Sequence, residues 1–198
     1  GFKAGRLSAL EIVVTDSQYG AAVVDRVRTA EHLREGMEAL GECDVVVMEG
    51  FVGRDDRGEV TTLGRGGSDL TASLVASMLG ASHMEKSTDV RGMLTADPRV
   101  VPSAKIIDSM SYEEAMELCH FGAKVIYPPT LIPLREAGIP LVIRSTFDTG
   151  STGTTISAHP DPGTGVRGVS SIDGMALVTL VGGGMVGIPG YSRRMFMA

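Results

Sequence analysis

The sequence predicts an α/β fold, a layered sheet with helices on both faces. Short apolar runs of strand length alternate along the chain with segments of helical period, the rhythm of strands joined by crossover helices. Residues 44–51, D-V-V-V-M-E-G-F, form such a run between turn residues, as strands covered on both faces do. Residues 61–79 then set a glycine-rich turn, T-T-L-G-R-G-G-S-D, directly before an apolar helical stripe.

Taken in order, residues 11–15 (E-I-V-V-T) read as a short buried strand ending at Asp16. Residues 29–40 carry Leu33, Met37 and Leu40 on one side and charge on the other, an amphipathic helix closed by Gly41. The polar stretch 53–58, closed by glycines, reads as a hairpin tip. In the following helix Leu70, Leu74, Val75, Met78 and Leu79 form the expected buried stripe, with Gly80 as the stop. A strand is expected at 83–87, a loop at 88–99 and a strand at 105–108. Ser111 and Glu114 stand at capping-box spacing before a helix to His120. A further helix starts at Pro128-Pro129 and ends at Gly138, and residues 140–145 form a strand that pairs with 154–157. Residues 158–165, rich in proline and glycine, read as a linker. Residues 166–172 and 175–181 read as two strands beyond it.

The turn at 61–69 has the chemistry of an anion site. Ser68 or Asp69 is suited to cap the helix start, where free N–H groups and the helix dipole favour negative charge. Arg65, held between Gly64 and Gly66, offers a planar fork matched to a carboxylate or a phosphate. Asp69, four residues on, places an acceptor at the same turn, as a zwitterionic ligand or a metal-bound phosphate needs.

Composition narrows the partners. The 198 residues are 43% hydrophobic, enough for a core, and the net charge of −6 without a basic run argues against a nucleic-acid backbone. No apolar run approaches a membrane span. Cys43 and Cys119, with no close pairing, read as small buried hydrophobes of a reducing, cytoplasmic compartment. The start at Gly1 and the end at Ala198 suggest a piece of a longer protein.

Along most of its length the sequence resembles the aspartokinases, members of the amino-acid kinase fold. The resemblance rests on G-F-V-G (50–53), T-T-L-G-R-G-G-S-D (61–69), S-T-D-V-R-G-M-L-T-A-D-P-R (87–99), S-Y-E-E-A-M-E-L (111–118) and F-G-A-K-V-I-Y-P (121–128), in that order. R-S-T-F-D-T-G-S-T-G-T-T-I (144–156) is similar to the end of that kinase domain, and M-A-L-V-T-L-V-G-G-G-M-V-G-I-P-G (175–190) to the opening of an ACT-type regulatory domain. The resemblance implies residues 1–157 as the later part of a kinase domain, 158–165 as linker and 166–198 as the beginning of the ACT-type domain.

It also implies an activity, the transfer of phosphate from Mg2+-ATP to the side chain of L-aspartate on the route to lysine, threonine and methionine. Matched position by position, Arg65 grips the substrate's α-carboxylate, Phe51 and Ser68 line the aspartate pocket, and Asp69 orders the charges around the reacting phosphate. Thr88, Asp89, Leu94 and Arg99 face the nucleotide and Lys124 its phosphates; none of them is a metal ligand. An amino-acid effector and a homo-oligomer are the expected partners. Leu94 and Tyr127 stand where the family usually has an aromatic residue and a histidine. The family's K-x-G-G first strand and its ammonium-binding acid have no counterpart in residues 1–50. The chain by itself is therefore expected to be inactive.

Other classes are open to the residues. An amino-acid-sensing or dimerisation module would bind lysine or threonine without ATP. D-T-G-S at 148–151 is the water-activating motif of aspartic proteases, which need two such carboxylates sharing a proton, so this single copy would require a homodimer. Gly182, Gly184 and Gly187 fit the dinucleotide fingerprint, but its acid, about 20 residues on, would lie past Ala198.

Overall fold

A computed structural model describes residues 1–123, 125–148, 150–161, 163, 165–177, 179, 193 and 197. Its strands form small sheets carrying helices. β1 (Ala4–Leu7) runs parallel to β2 (Val45–Met48), and β3 (Val52–Arg54) pairs antiparallel with β4 (Val60–Thr62). The largest sheet has the order β5-β7-β8-β6, built from Met84–Thr88, Leu141–Ser145, Thr154–Ser157 and Ser109–Ser111. β5 and β7 are parallel, β7 and β8 antiparallel, and β8 and β6 parallel.

The crossover helices bury one side each. α2 (Arg26–Leu40) starts where the Asp25 carboxylate accepts from the amides of Val27 and Arg28, a standard N-cap. It begins before Thr29 because Asp25, not the apolar period, sets the first turn. Leu33 lies in the core with Leu7 and Ile12. α3 (Gly67–Leu79) packs on β5, α2 and α5 (Leu131–Ala137). α4 (Tyr112–His120) has the capping box expected, with Ser111 Oγ accepting from the Glu114 amide and Glu114 accepting from the Ser111 amide. A 3-10 turn at Pro128–Thr130 leads into α5, which ends at left-handed Gly138. The main core, including Met110, Tyr112, Leu131, Leu134, Leu141, Ile143 and Ile156, is enclosed by these elements.

Several expectations are corrected. Residues 11–15 are not a strand: Ala9–Ile12 forms a helical turn, α1, and only isolated bridges follow at Val14 and Thr15. The cause is tertiary. Glu49 accepts from the Ser8 hydroxyl and the Ala9 amide, and Thr29 Oγ1 takes the Val14 amide that a ladder would use. Residues 105–108 make a single bridge, Ile106 to Leu94, because they fold back on 93–95 through Thr95–Lys105 and Ile107–Met93 backbone bonds. The sheet strand begins only at Ser109.

The stripe of α3 is also rotated. Thr71, Ser73 and Leu74 are buried, Leu70, Val75 and Met78 half-buried, and Leu79 exposed. Thr71 and Ser73 are tolerated inside because their hydroxyls bond the carbonyls of Gly67 and Leu70. Residues 166–172 form no strand; the Val169 amide instead donates to the Thr95 carbonyl. The strand expected at 175–181 and the glycine fingerprint at 182–187 fall partly or wholly outside the described residues.

Candidate active site

The glycine-rich turn is built by backbone, not by side-chain capping. Gly66 in the left-handed region (φ 67°) is the N-cap of α3, and neither Ser68 nor Asp69 caps the helix. The expected cap is absent because helix geometry already starts at Gly67, which places Ser68 and Asp69 inside the first turn. Asp69 is thereby free for a different partner.

Phe51, Arg65, Ser68 and Asp69 line one cavity of about 450 Å³ with Gly20 and Thr62. Phe51 is the sole non-glycine residue with positive φ (77°) among the described residues. That strain is held from both ends: its amide donates to Thr71 Oγ1 (3.1 Å) and its carbonyl accepts from the Leu63 amide (2.9 Å). Strain fixed in this way clusters at ligand sites. The Phe51 ring edge crowds Gly67, where a Cβ would meet it at 2.8 Å. Arg65 is exposed at the mouth, and the start of α3 adds its free amides, so the cavity suits a carboxylate.

Thr88, Asp89, Leu94 and Arg99 line a second cavity of about 360 Å³, walled also by Gly122, Ala123, Val125 and Val169. The Thr88 hydroxyl donates to Asp89 (3.0 Å). Arg99 forks onto Asp97, with Nε 3.0 Å from Oδ1 and Nη2 2.6 Å from Oδ2. The Arg99 side-chain and backbone hydrogen bonds hold the Asp97 carboxyl down to about 2. Arg99 thus reaches the cavity with its fork shared with Asp97. Lys124 lies outside the described residues.

Sequence reasoning missed Lys86 and the packing of Tyr127. Lys86 Nζ lies 2.5 Å from Asp69 Oδ2 and 2.9 Å from the Val125 carbonyl oxygen. The signal was present in strand alternation, which puts Lys86 on the same face of β5 as buried Met84. A lysine on an inward face needs a partner. Tyr127 rests on Gly66, a contact no local pattern announces. Among the described residues no three His, Cys, Asp or Glu side chains converge as a metal cage. Asp69 and Asp89 carry carboxylate oxygens, the hard donor type that Mg2+ prefers.

The amino acid kinase family model matches residues 1–145. The chain belongs to the amino acid kinase family. Among proteins of this family it is 43% identical over 155 residues to a bifunctional aspartokinase/homoserine dehydrogenase of Haemophilus influenzae, covering 78% of this chain and 19% of that protein. It is 36% identical over 194 residues to the lysine-sensitive aspartokinase 3 of Escherichia coli, covering 94% of this chain and 41% of the relative. The structure of E. coli aspartokinase III with aspartate and ADP superposes with a TM-score of 0.74 at 39% identity, over 79% of this chain and 35% of that one. The same enzyme with lysine and aspartate gives 0.71, over 80% and 36%. The chain therefore spans well under half the length of these relatives. Its α/β architecture is that of the family and the one the sequence predicts. Nothing in these likenesses supports the protease alternative; Asp148 pairs with Arg91 at 3.4 Å.

Proposed function

We propose that this chain is the later part of an aspartate kinase catalytic domain, in a protein that converts ATP and L-aspartate to ADP and 4-phospho-L-aspartate. The carrying observation is a pair of cavities linked through Lys86, which bonds Asp69 in one wall and the Val125 carbonyl in the other: one groups Phe51, Arg65, Ser68 and Asp69, the other Thr88, Asp89, Leu94 and Arg99. The likeness to aspartokinases, one of them bound to aspartate and ADP, supplies the substrate pair.

In this reading Arg65 takes the α-carboxylate in a bidentate grip and Phe51 bounds the pocket. Ser68 and the α3 amides hold the substrate so that its side-chain carboxylate faces the nucleotide. A carboxylate oxygen attacks the γ-phosphorus, the bond to the β-phosphate oxygen breaks, and ADP leaves with that electron pair. No proton moves, so the protein's task is alignment and charge balance. Thr88, Asp89, Leu94 and Arg99 hold the nucleotide, and Lys124 is assigned to its phosphates. Mg2+, arriving on ATP, neutralises phosphate charge. Amino-acid feedback through an ACT-type segment from residue 166, a homo-oligomer and a cytoplasmic location complete the proposal. Among the described residues no helix is long and apolar enough to cross a membrane.

The test is to trap aspartyl phosphate as its hydroxamate from the intact protein with Mg2+-ATP and aspartate. Aspartate-dependent hydroxamate that falls steeply, but stays measurable, in Asp69→Asn is the expected result. ATP binding without any aspartate-dependent product would overturn the reading.

A further inference from the structure

The two cavities share a joint. β5 carries Lys86 on its inner face, with its side chain 16% exposed and that of Asp69 25% exposed. Its ammonium bonds Asp69 Oδ2, in the wall of the first cavity, and the carbonyl of Val125, in the wall of the second. Lys86 is fixed at its own base by the parallel ladder, where it stands opposite fully buried Ile143. A flexible side chain is thus tied at both ends, and Asp69, on the first turn of α3, is tied to the sheet.

We propose that Lys86 is a positioning residue that acts through Asp69, setting its carboxylate at the boundary between the two substrates. Both substrates are anions. An unpaired carboxylate at that boundary would repel them, whereas the lysine pair presents oxygen acceptors at little net charge. The Val125 bond fixes where the ammonium stands, so Asp69 keeps its place when the second cavity fills. A lone surface lysine would do neither, because exposed ion pairs contribute little and wander.

The kinetic arm of the test rests on the aspartate kinase reading. In the intact protein Lys86→Met should lower kcat about tenfold or more while the KM for ATP changes less than about threefold, the mark of a group acting in the transition state. Lys86→Arg should recover part of the loss, since charge is restored without the compact geometry. In an Asp69→Asn background the same Lys86→Met change should cost less than about twofold, because coupled residues are not additive. An equal loss in both backgrounds would overturn the proposal, since Lys86 would then act without Asp69.

A second arm needs no activity. Under reductive methylation read by mass spectrometry, Lys86 should react several-fold more slowly than exposed Lys3 and Lys105, and Asp69→Asn should raise its rate. A wild-type Lys86 that reacts as fast as Lys3 would overturn the pairing, whatever the substrate proves to be. Absence of aspartyl phosphate together with a protected Lys86 would remove the kinase reading and leave the Lys86–Asp69 joint standing.

Discussion

Tyr127 closes over Gly66 so tightly that a Cβ at position 66 would meet the tyrosine Cβ at 2.5 Å and its ring carbon Cδ1 at 2.9 Å. The glycine is doubly required, since its φ of 67° lies in the left-handed region that costs other residues about 1–2 kcal/mol. The contact joins the glycine-rich turn of the first cavity to the segment that walls the second. Gly66→Ala should therefore displace Arg65 and the start of α3 together. The KM for aspartate should rise about tenfold with a smaller change for ATP, and the melting temperature should fall. Steady-state kinetics with each substrate varied in turn would show it.

Arg65 stands exposed at the cavity mouth, where it gives up little hydration until a carboxylate arrives. A charged hydrogen bond of this kind is worth about 1.5–3 kcal/mol. Arg65→Ala should raise the KM for aspartate about 10- to 100-fold and leave that for ATP nearly unchanged. Equal effects on the two substrates would remove Arg65 from the aspartate pocket.

Leu94 lines the second cavity, proposed above to take the nucleotide, beside Val125 and Val169. Widening this apolar wall should weaken ATP without touching aspartate. Leu94→Ala should raise the KM for ATP by about threefold to tenfold, the cost of a few lost methylene contacts. Titration of the intact protein with a fluorescent ATP analogue would measure the change directly.

Asp55, buried at the tip of the β3–β4 hairpin, ties that hairpin to the turn at 17–19. The Ser17 hydroxyl, acting against burial, and the amides of Glu59 and Arg57 hold its carboxyl far below the usual carboxylate range. The folded state thus binds this proton less readily than the unfolded chain. Its contribution to stability is fully present above the unfolded value of about 4 and is lost as pH falls toward the depressed folded value. Asp55→Asn should lower the melting temperature at pH 7, and the gap to wild type should narrow as pH drops below about 4. Calorimetry at a series of pH values would show the narrowing.

Tyr112, 1% exposed, donates its hydroxyl to the Ile139 carbonyl at 2.7 Å. Tyr112→Phe keeps the ring in the core and strands that carbonyl. The loss should be about 1–3 kcal/mol, visible as a lower urea midpoint with an unchanged slope.

Much of this protein was legible along the chain. Ser111 and Glu114 announced their helix because a capping box is made within one turn. Gly80 and Gly138 marked helix ends for the same local reason, and the strand at 140–145 paired with 154–157 as its apolar run implied. The cavity residues from 51 to 69 were also readable, since the turn that gathers Arg65, Ser68 and Asp69 is contiguous. What lies between distant segments was not. E-I-V-V-T looked like a strand until Glu49, from β2's far end, captured Ser8 and Ala9 and turned residues 9–12 into a helix. Asp69 looked like a cap until Lys86 bound it across 17 residues, and Gly66 gave no hint of Tyr127. Caps, turns and periodic faces are settled by neighbours in sequence. The partner of a buried charge and the lid over a glycine are chosen only when packing brings remote side chains within hydrogen-bond and van der Waals range.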